Sequence, residues 1–95
     1  MRTAELTGPT LDWAVWACEK PDDEFLRQRR KCRPYSTDWA QGGPIIEREG
    51  IALLPPGLAE MPGVEGRGET LLIAAMRCYV ASVLGDEVEV PEGLA

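Results

Sequence analysis

Thr70-Leu71-Leu72-Ile73-Ala74-Ala75-Met76-Arg77-Cys78-Tyr79-Val80-Ala81-Ser82-Val83-Leu84-Gly85 is the stretch that decides the fold of this chain. It is apolar over helical length and ends at a glycine suited to a left-handed position just past a helix. Leu72, Ile73, Met76, Val80, Val83 and Leu84 fall on one broad face, whereas Ala74, Ala75, Cys78, Ala81 and Ser82 make the opposite side small. A face of large residues packs into a core, and a face of small ones lets another backbone come close. The helix is therefore expected at the centre of the molecule, or paired with its equivalent in a dimer. Arg77 is the sole charge between Glu69 and Asp86 and sits beside the large apolar face. An unpaired buried charge is costly, so its guanidinium needs a partner. That partner is either an internal carboxylate such as Asp38 or Glu47, or a bound phosphate or carboxylate.

Working back towards the N-terminus, Gly8-Pro9 reads as a helix start, with Thr7 or Gly8 near the cap and Pro9 at the first helical position. Leu11, Ala14, Val15 and Cys18 recur at helical spacing and make an aliphatic face, while Trp13 and Trp16 project from the other side. Those indoles are covered by a second layer of the domain, by a subunit interface or by a ligand; an interface role in a homo-oligomer is the reading carried forward. Residues 2–6 are expected to form a short first strand. Pro21 ends the first helix, and residues 21–34 read as a loop. Residues 35–43 are polar and glycine-rich and lead to a short helix over 44–49, opened by Pro44 and closed by Gly50. Residues 51–54 suit a buried strand, residues 55–68 a loop, and Val88-Glu89-Val90 an edge strand stopped by Pro91.

These elements predict one α+β domain over residues 1–95. A central C-terminal helix and an N-terminal helix pack with a short, mainly antiparallel sheet. The length supports one core, since two domains would each have too little interior. No apolar run reaches membrane-spanning length and none at the N-terminus resembles a signal segment, so the expected location is the cytoplasm. Three cysteines, Cys18, Cys32 and Cys78, are an odd number without close spacing and read as free thiols. The net charge is −6, from 10 basic and 16 acidic residues, and five of the bases lie in the run Arg27 to Arg33. The rest of the chain is more acidic still, and the run contains no aromatic residue, so nucleic acid is not the expected partner.

Three segments also carry a family resemblance: Leu11-Asp12-Trp13-Ala14-Val15; Tyr35-Ser36-Thr37-Asp38-Trp39 with Gly42-Gly43-Pro44-Ile45-Ile46-Glu47; and residues 72–82 continuing through Leu84-Gly85-Asp86-Glu87-Val88-Glu89-Val90-Pro91. In that order, over most of the chain, they resemble the NinX-like family of phage and prophage proteins. The resemblance implies a phage accessory protein in the cytosol of a bacterial host, with the blunting of host defence signalling as a fitting task, and it carries over no catalytic residue. The chain departs from the pattern at Pro55-Pro56-Gly57-Leu58-Ala59, where related proteins often have a tryptophan-containing strand, and at Thr70-Leu71, where many read Thr-Pro.

For chemistry, the residues of interest are Tyr35, Ser36, Thr37, Asp38, Trp39, Gln41, Gly42, Gly43, Glu47 and Arg77. Rings, hydroxyls, an amide and a glycine pair suit a small anionic or nucleotide-like ligand. In that reading Trp39 or Tyr35 stacks on a base, Asp38 binds a ribose hydroxyl, Arg77 meets a phosphate, and free N–H groups near residues 43–46 hold an anion. Neither a G-x-x-x-x-G-K-[ST] loop nor a strand–G-x-G-x-x-G–helix unit is present. The chain has no histidine, which removes the commonest general base and zinc ligand. Asp12, Asp38, Glu47 and Glu49 show no spacing that marks a catalytic pair or a metal site. The expected protein is a non-enzymatic binder without cofactor or metal, and the alternative is a protein-interaction module acting on a phage or host recombination or replication factor.

Overall fold

The structure, a computed structural model, describes residues 1–19 and 33–90. The expected loop over 21–34 lies outside the described residues except for Arg33 and Pro34, as do Cys32 and Pro91. A 3-10 turn, Thr3–Glu5, precedes helix α1 (Gly8–Glu19), and helix α2 (Trp39–Glu49) follows. Strands β1 (Ala52–Leu54), β2 (Leu58–Met61) and β3 (Val64–Arg67) then form an antiparallel meander, and helix α3 (Leu71–Leu84) closes the described chain. The α+β class and the packing of both terminal helices with a short antiparallel sheet are as the sequence predicts.

Helix α3 is the centre of the molecule. Thr70 caps it, its hydroxyl accepting the Ile73 N–H at 3.1 Å, and Leu72, Ala74, Ala75, Met76, Cys78, Tyr79 and Val80 are all buried along it. The small side meets the sheet. A Cβ on Gly66 of β3 would lie 2.6 Å from the Cys78 backbone nitrogen, so this strand approaches α3 as closely as backbone allows. The large side meets α1, whose Leu11, Ala14 and Val15 are fully buried, and α2, through Ile45. The large stripe stops short of the helix end: Val83 and Leu84 are exposed.

Four expectations are corrected. Residues 55–68 are not a loop, because β2 and β3 occupy most of them, joined by a hairpin at Pro62-Gly63. Their inward positions are Ala59 and Gly66, kept small by the closeness of α3, so the alternation of large and polar residues that marks a strand is erased. Residues 2–6 form no strand: Thr3–Glu5 make the 3-10 turn, with Thr3 and Leu6 buried three residues apart. Val88-Glu89-Val90 forms no regular strand. Instead the two ends of the described chain pair locally, Met1 with Val88 and Thr3 with Asp86, through backbone hydrogen bonds of 2.8 Å around an isolated bridge between Arg2 and Glu87. Gly85 has positive φ, 86°, but its ψ of −164° lies outside the left-handed helical region.

Helix α2 starts five residues earlier than Pro44, at Trp39, with the Asp38 carboxylate capping it by accepting the Ala40 N–H at 2.9 Å. Pro44 is thus inside the helix. The C-terminal end is as expected: Gly50 is left-handed at φ 67°, and the N–H groups of Gly50 and Ile51 close back on Glu47 and Ile46.

Candidate functional site

The residues expected to hold a ligand take up different duties. Asp12 of α1 accepts from both the backbone N–H and the hydroxyl of Ser36, at 2.8 and 2.7 Å, which anchors the 35–38 turn against α1. Ser36 is buried and Asp38 is occupied as a helix cap. Gly42 serves packing: a Cβ there would lie 2.5 Å from the Tyr35 carbonyl and 2.7 Å from Leu72 Cδ1, so α2 presses against α3 at this point. Because α2 begins at Trp39, the N–H groups of Gly43, Ile45 and Ile46 lie within the helix and are not the free anion-binding donors that were expected. Gly43 has open space around it, and Thr37 and Glu47 are exposed.

Three cavities divide the remaining residues. Trp39, about half exposed at 51%, borders a hollow of about 190 Å³ with Thr37, Thr70, Leu72 and Ile73. Tyr35 and Gln41 line a second, of about 330 Å³, with Glu19, Arg33 and Arg48. Arg77 lines a third, of about 210 Å³, with Thr3, Ala4, Arg67, Ala81 and Asp86. Arg77 is therefore not part of the 35–44 segment's surroundings, and neither Asp38 nor Glu47 is its partner.

Arg77 is instead held by backbone. Its Nε donates to the Leu6 carbonyl and its Nη1 to the Arg67 carbonyl, each at 2.8 Å. Hydrogen-bonded pairing of β2 and β3 at residues 57 and 68 turns the Arg67 carbonyl away from β2, so Arg77 caps the free edge of the sheet and ties it to the segment entering α1. Among the described residues no carboxylate reaches salt-bridge distance of it. Partial burial lowers its pKa, opposed by the more distant negative charge of Glu69. Nη2 makes no hydrogen bond among the described residues.

A second charged group joins three helices and was not legible in the sequence. Arg48 of α2 meets Glu19 of α1 in a two-pronged pair of 3.0 and 2.6 Å, reaches Glu49 at 2.8 Å through Nε, and donates to the Tyr79 hydroxyl of α3 at 3.2 Å. The Tyr79 hydroxyl in turn donates to Glu19, and the Arg48 guanidinium lies 5.9 Å from the ring centre. Hydrogen bonds that Arg48 donates to Glu19 and then to Glu49 raise its pKa, and burial followed by the bond to Glu19 raises that of Tyr79. Glu19 and Arg48 stand 29 residues apart and Glu19 and Tyr79 stand 60 apart, so no local spacing announces the group.

Trp13 and Trp16 are partly buried and pack against the core from the α1 side. The Trp16 indole N–H has no acceptor among the described residues. No cluster of His, Cys, Asp or Glu among the described residues could hold a metal ion, and no described helix is long and apolar enough to cross a membrane.

None of the curated proteins compared with the chain matches it. The sequence model of the family described as Bacteriophage P22, NinX matches residues 2–83, a span that takes in α1, α2, the whole meander and nearly all of α3. The chain belongs to this phage NinX family.

Proposed function

We propose that this phage accessory protein is a non-enzymatic binder of a small anionic or nucleotide-like ligand, with Arg77 as the residue that meets the anion. The supporting observation is the guanidinium itself: partly buried, held at Nε and Nη1 by the Leu6 and Arg67 carbonyls, and bordering a cavity with Nη2 unused among the described residues. A fixed guanidinium with a spare donor edge suits a phosphate or carboxylate, because its orientation is already set before the ligand arrives. The cavity is smaller than the roughly 300 Å³ or more of most small-molecule sites, so only the anionic end of a ligand enters, and any base lies outside. Two acidic residues, Glu65 and Asp86, also line it, and Glu65 is engaged by Arg67 at 3.4 Å. Sequestration of a host signalling anion in the infected cytosol is the use such a site would have. Self-association through the part-exposed edges of Trp13 and Trp16 belongs to the same proposal.

The test is native mass spectrometry of protein purified from infected cells, followed by calorimetric titration with inorganic phosphate, acetate and nucleoside mono- and triphosphates. Saturable binding that falls about tenfold or more in Arg77→Lys, with the fold retained, is expected. Lysine keeps the charge but not the planar fork. A chain that carries no small molecule and gives no saturable heat with any of these anions would sink the proposal. The same mass measurement reads the oligomer.

A further inference from the structure

Trp39 differs from the other two tryptophans. Trp13 and Trp16 pack against the core, whereas Trp39, the first residue of α2, keeps 51% of its surface in water. Beside it lies the hollow of about 190 Å³, walled by Thr37, Thr70, Leu72 and Ile73. That volume accommodates one side chain and falls short of a whole drug-sized ligand. Tryptophan at such a position is the residue type most often found to carry binding energy between proteins, since it offers a large rigid surface at little entropic cost.

The charge around the hollow selects its occupant. Its walls, Ser36, Thr37, Trp39, Thr70, Leu72 and Ile73, carry no charge of their own. Asp38 directly precedes Trp39 and Glu69 directly precedes Thr70, so the charges next to these walls along the chain are negative. The net charge of −6 has the same sign. A phosphate is repelled here, and a cationic segment is attracted.

We infer that Trp39 and its hollow form a docking surface for a basic protein segment, which inserts one apolar side chain beside the indole and Ile73 and places lysine or arginine near Asp38 and Glu69. The surface is separate from the Arg77 cavity, so either can fail without the other.

The probe is a displayed library of random seven-residue peptides, selected on the full chain, with the recovered peptides titrated by nitrogen-15 NMR. Recovered sequences are expected to share a leucine-, isoleucine- or phenylalanine-like residue flanked by lysine or arginine. Titration should move the Trp39 indole and the amides of residues 70–73. Trp39→Ala should weaken binding about tenfold or more, and Glu69→Gln, at an exposed position, should weaken it a few-fold at low salt and less at high salt. Asp38→Asn removes charge while keeping a helix-capping side chain, and should act as Glu69→Gln does. The inference is overturned if selection returns no shared basic–apolar pattern, or if the recovered peptides leave the Trp39 indole unmoved. It is also overturned if Glu69→Gln and Asp38→Asn both bind as the parent does. Movement of the same indole by nucleoside phosphates, or by raising protein concentration alone, would assign the hollow to a nucleotide or to a second copy of the chain instead.

Discussion

At the scale of single residues, adjacent glycines have opposite duties. Gly42 is buried where α2 touches α3, and an added methyl would lie 2.5 Å from the Tyr35 carbonyl, whereas Gly43 has nothing within 4 Å. Gly42→Ala should therefore destabilise the protein by about 1–3 kcal/mol through overpacking. Gly43→Ala should stabilise it by up to about 1 kcal/mol, because alanine loses less backbone freedom in a helix. Urea denaturation of the two variants gives both signs, and equal midpoints would refute this account of the pair. Asp12 makes a comparable point about polar residues. Its one carboxylate oxygen serves two donors on buried Ser36, so Asp12→Ala should cost about 1–3 kcal/mol by leaving them without an acceptor. The sequence shows both residues as ordinary polar positions, 24 apart, and only their contact makes them a pair.

At the scale of elements, legibility follows the range of the signal. Helix α3 was readable because its run of apolar residues lies within the element and a glycine directly follows it. The Thr70→Ala change should cost about 1 kcal/mol through loss of the bond to the Ile73 N–H, measurable as a lower denaturation midpoint, and Thr70→Ser should restore most of it. Helix α2 was placed too late because Pro44 looks like an opening residue. The actual start depends on the Asp38 cap and on Gly42 fitting under Tyr35 and against Leu72, and the second of these is a tertiary contact. Strands β2 and β3 were missed for a related reason. Their inward residues are Ala59 and Gly66 because α3 lies so close, and a strand whose inner face is small looks locally like a turn-rich loop. The candidate site suffered most. Tyr35, Gln41 and Trp39, close in sequence, point into two cavities, and Arg77 belongs to a third. Residues 39 and 41 are about 200° apart around a helix, so starting α2 at Trp39 separates them.

At the scale of the molecule, the two ends of the described chain hold each other. Met1 and Thr3 bond to Val88 and Asp86, and the Thr3 hydroxyl donates to the Gly85 carbonyl at 2.7 Å. Leu6, fully buried, and Arg77, bonded to the Leu6 carbonyl, tie this pairing to the core. Deleting residues 1–6 should therefore lower the stability of the whole domain, and amide exchange should rise across β3 and the end of α3 as well as near Val88. Exchange that rises at residues 85–90 alone would show that the pairing is a local feature. Stability should also respond to alkaline pH. Burial, with a contribution from Glu19, pushes the Cys18 thiol from 9.0 up to about 12, and burial also raises Cys78 and Tyr79. Above pH 9 the unfolded chain releases protons that the folded chain retains, so stability is full below that pH and falls as pH climbs towards 12. Denaturation midpoints that stay flat from pH 8 to 11 would contradict this.

The sequence by itself determined the class of the fold, the existence of the three helices, a strand within residues 51–54 and the family, because periodicity, caps and ordered motifs are properties of neighbouring residues; the burial expected of that strand does not hold, since Ala52 and Leu54 are exposed. Only the tertiary structure decided that Arg77 rests on backbone carbonyls and not on Asp38 or Glu47, that Arg48 joins Glu19 to Tyr79, and that Trp39 stands apart from both. Such contacts join residues distant along the chain. Their partners are set by where whole helices and strands come to rest, and no spacing along the chain encodes that.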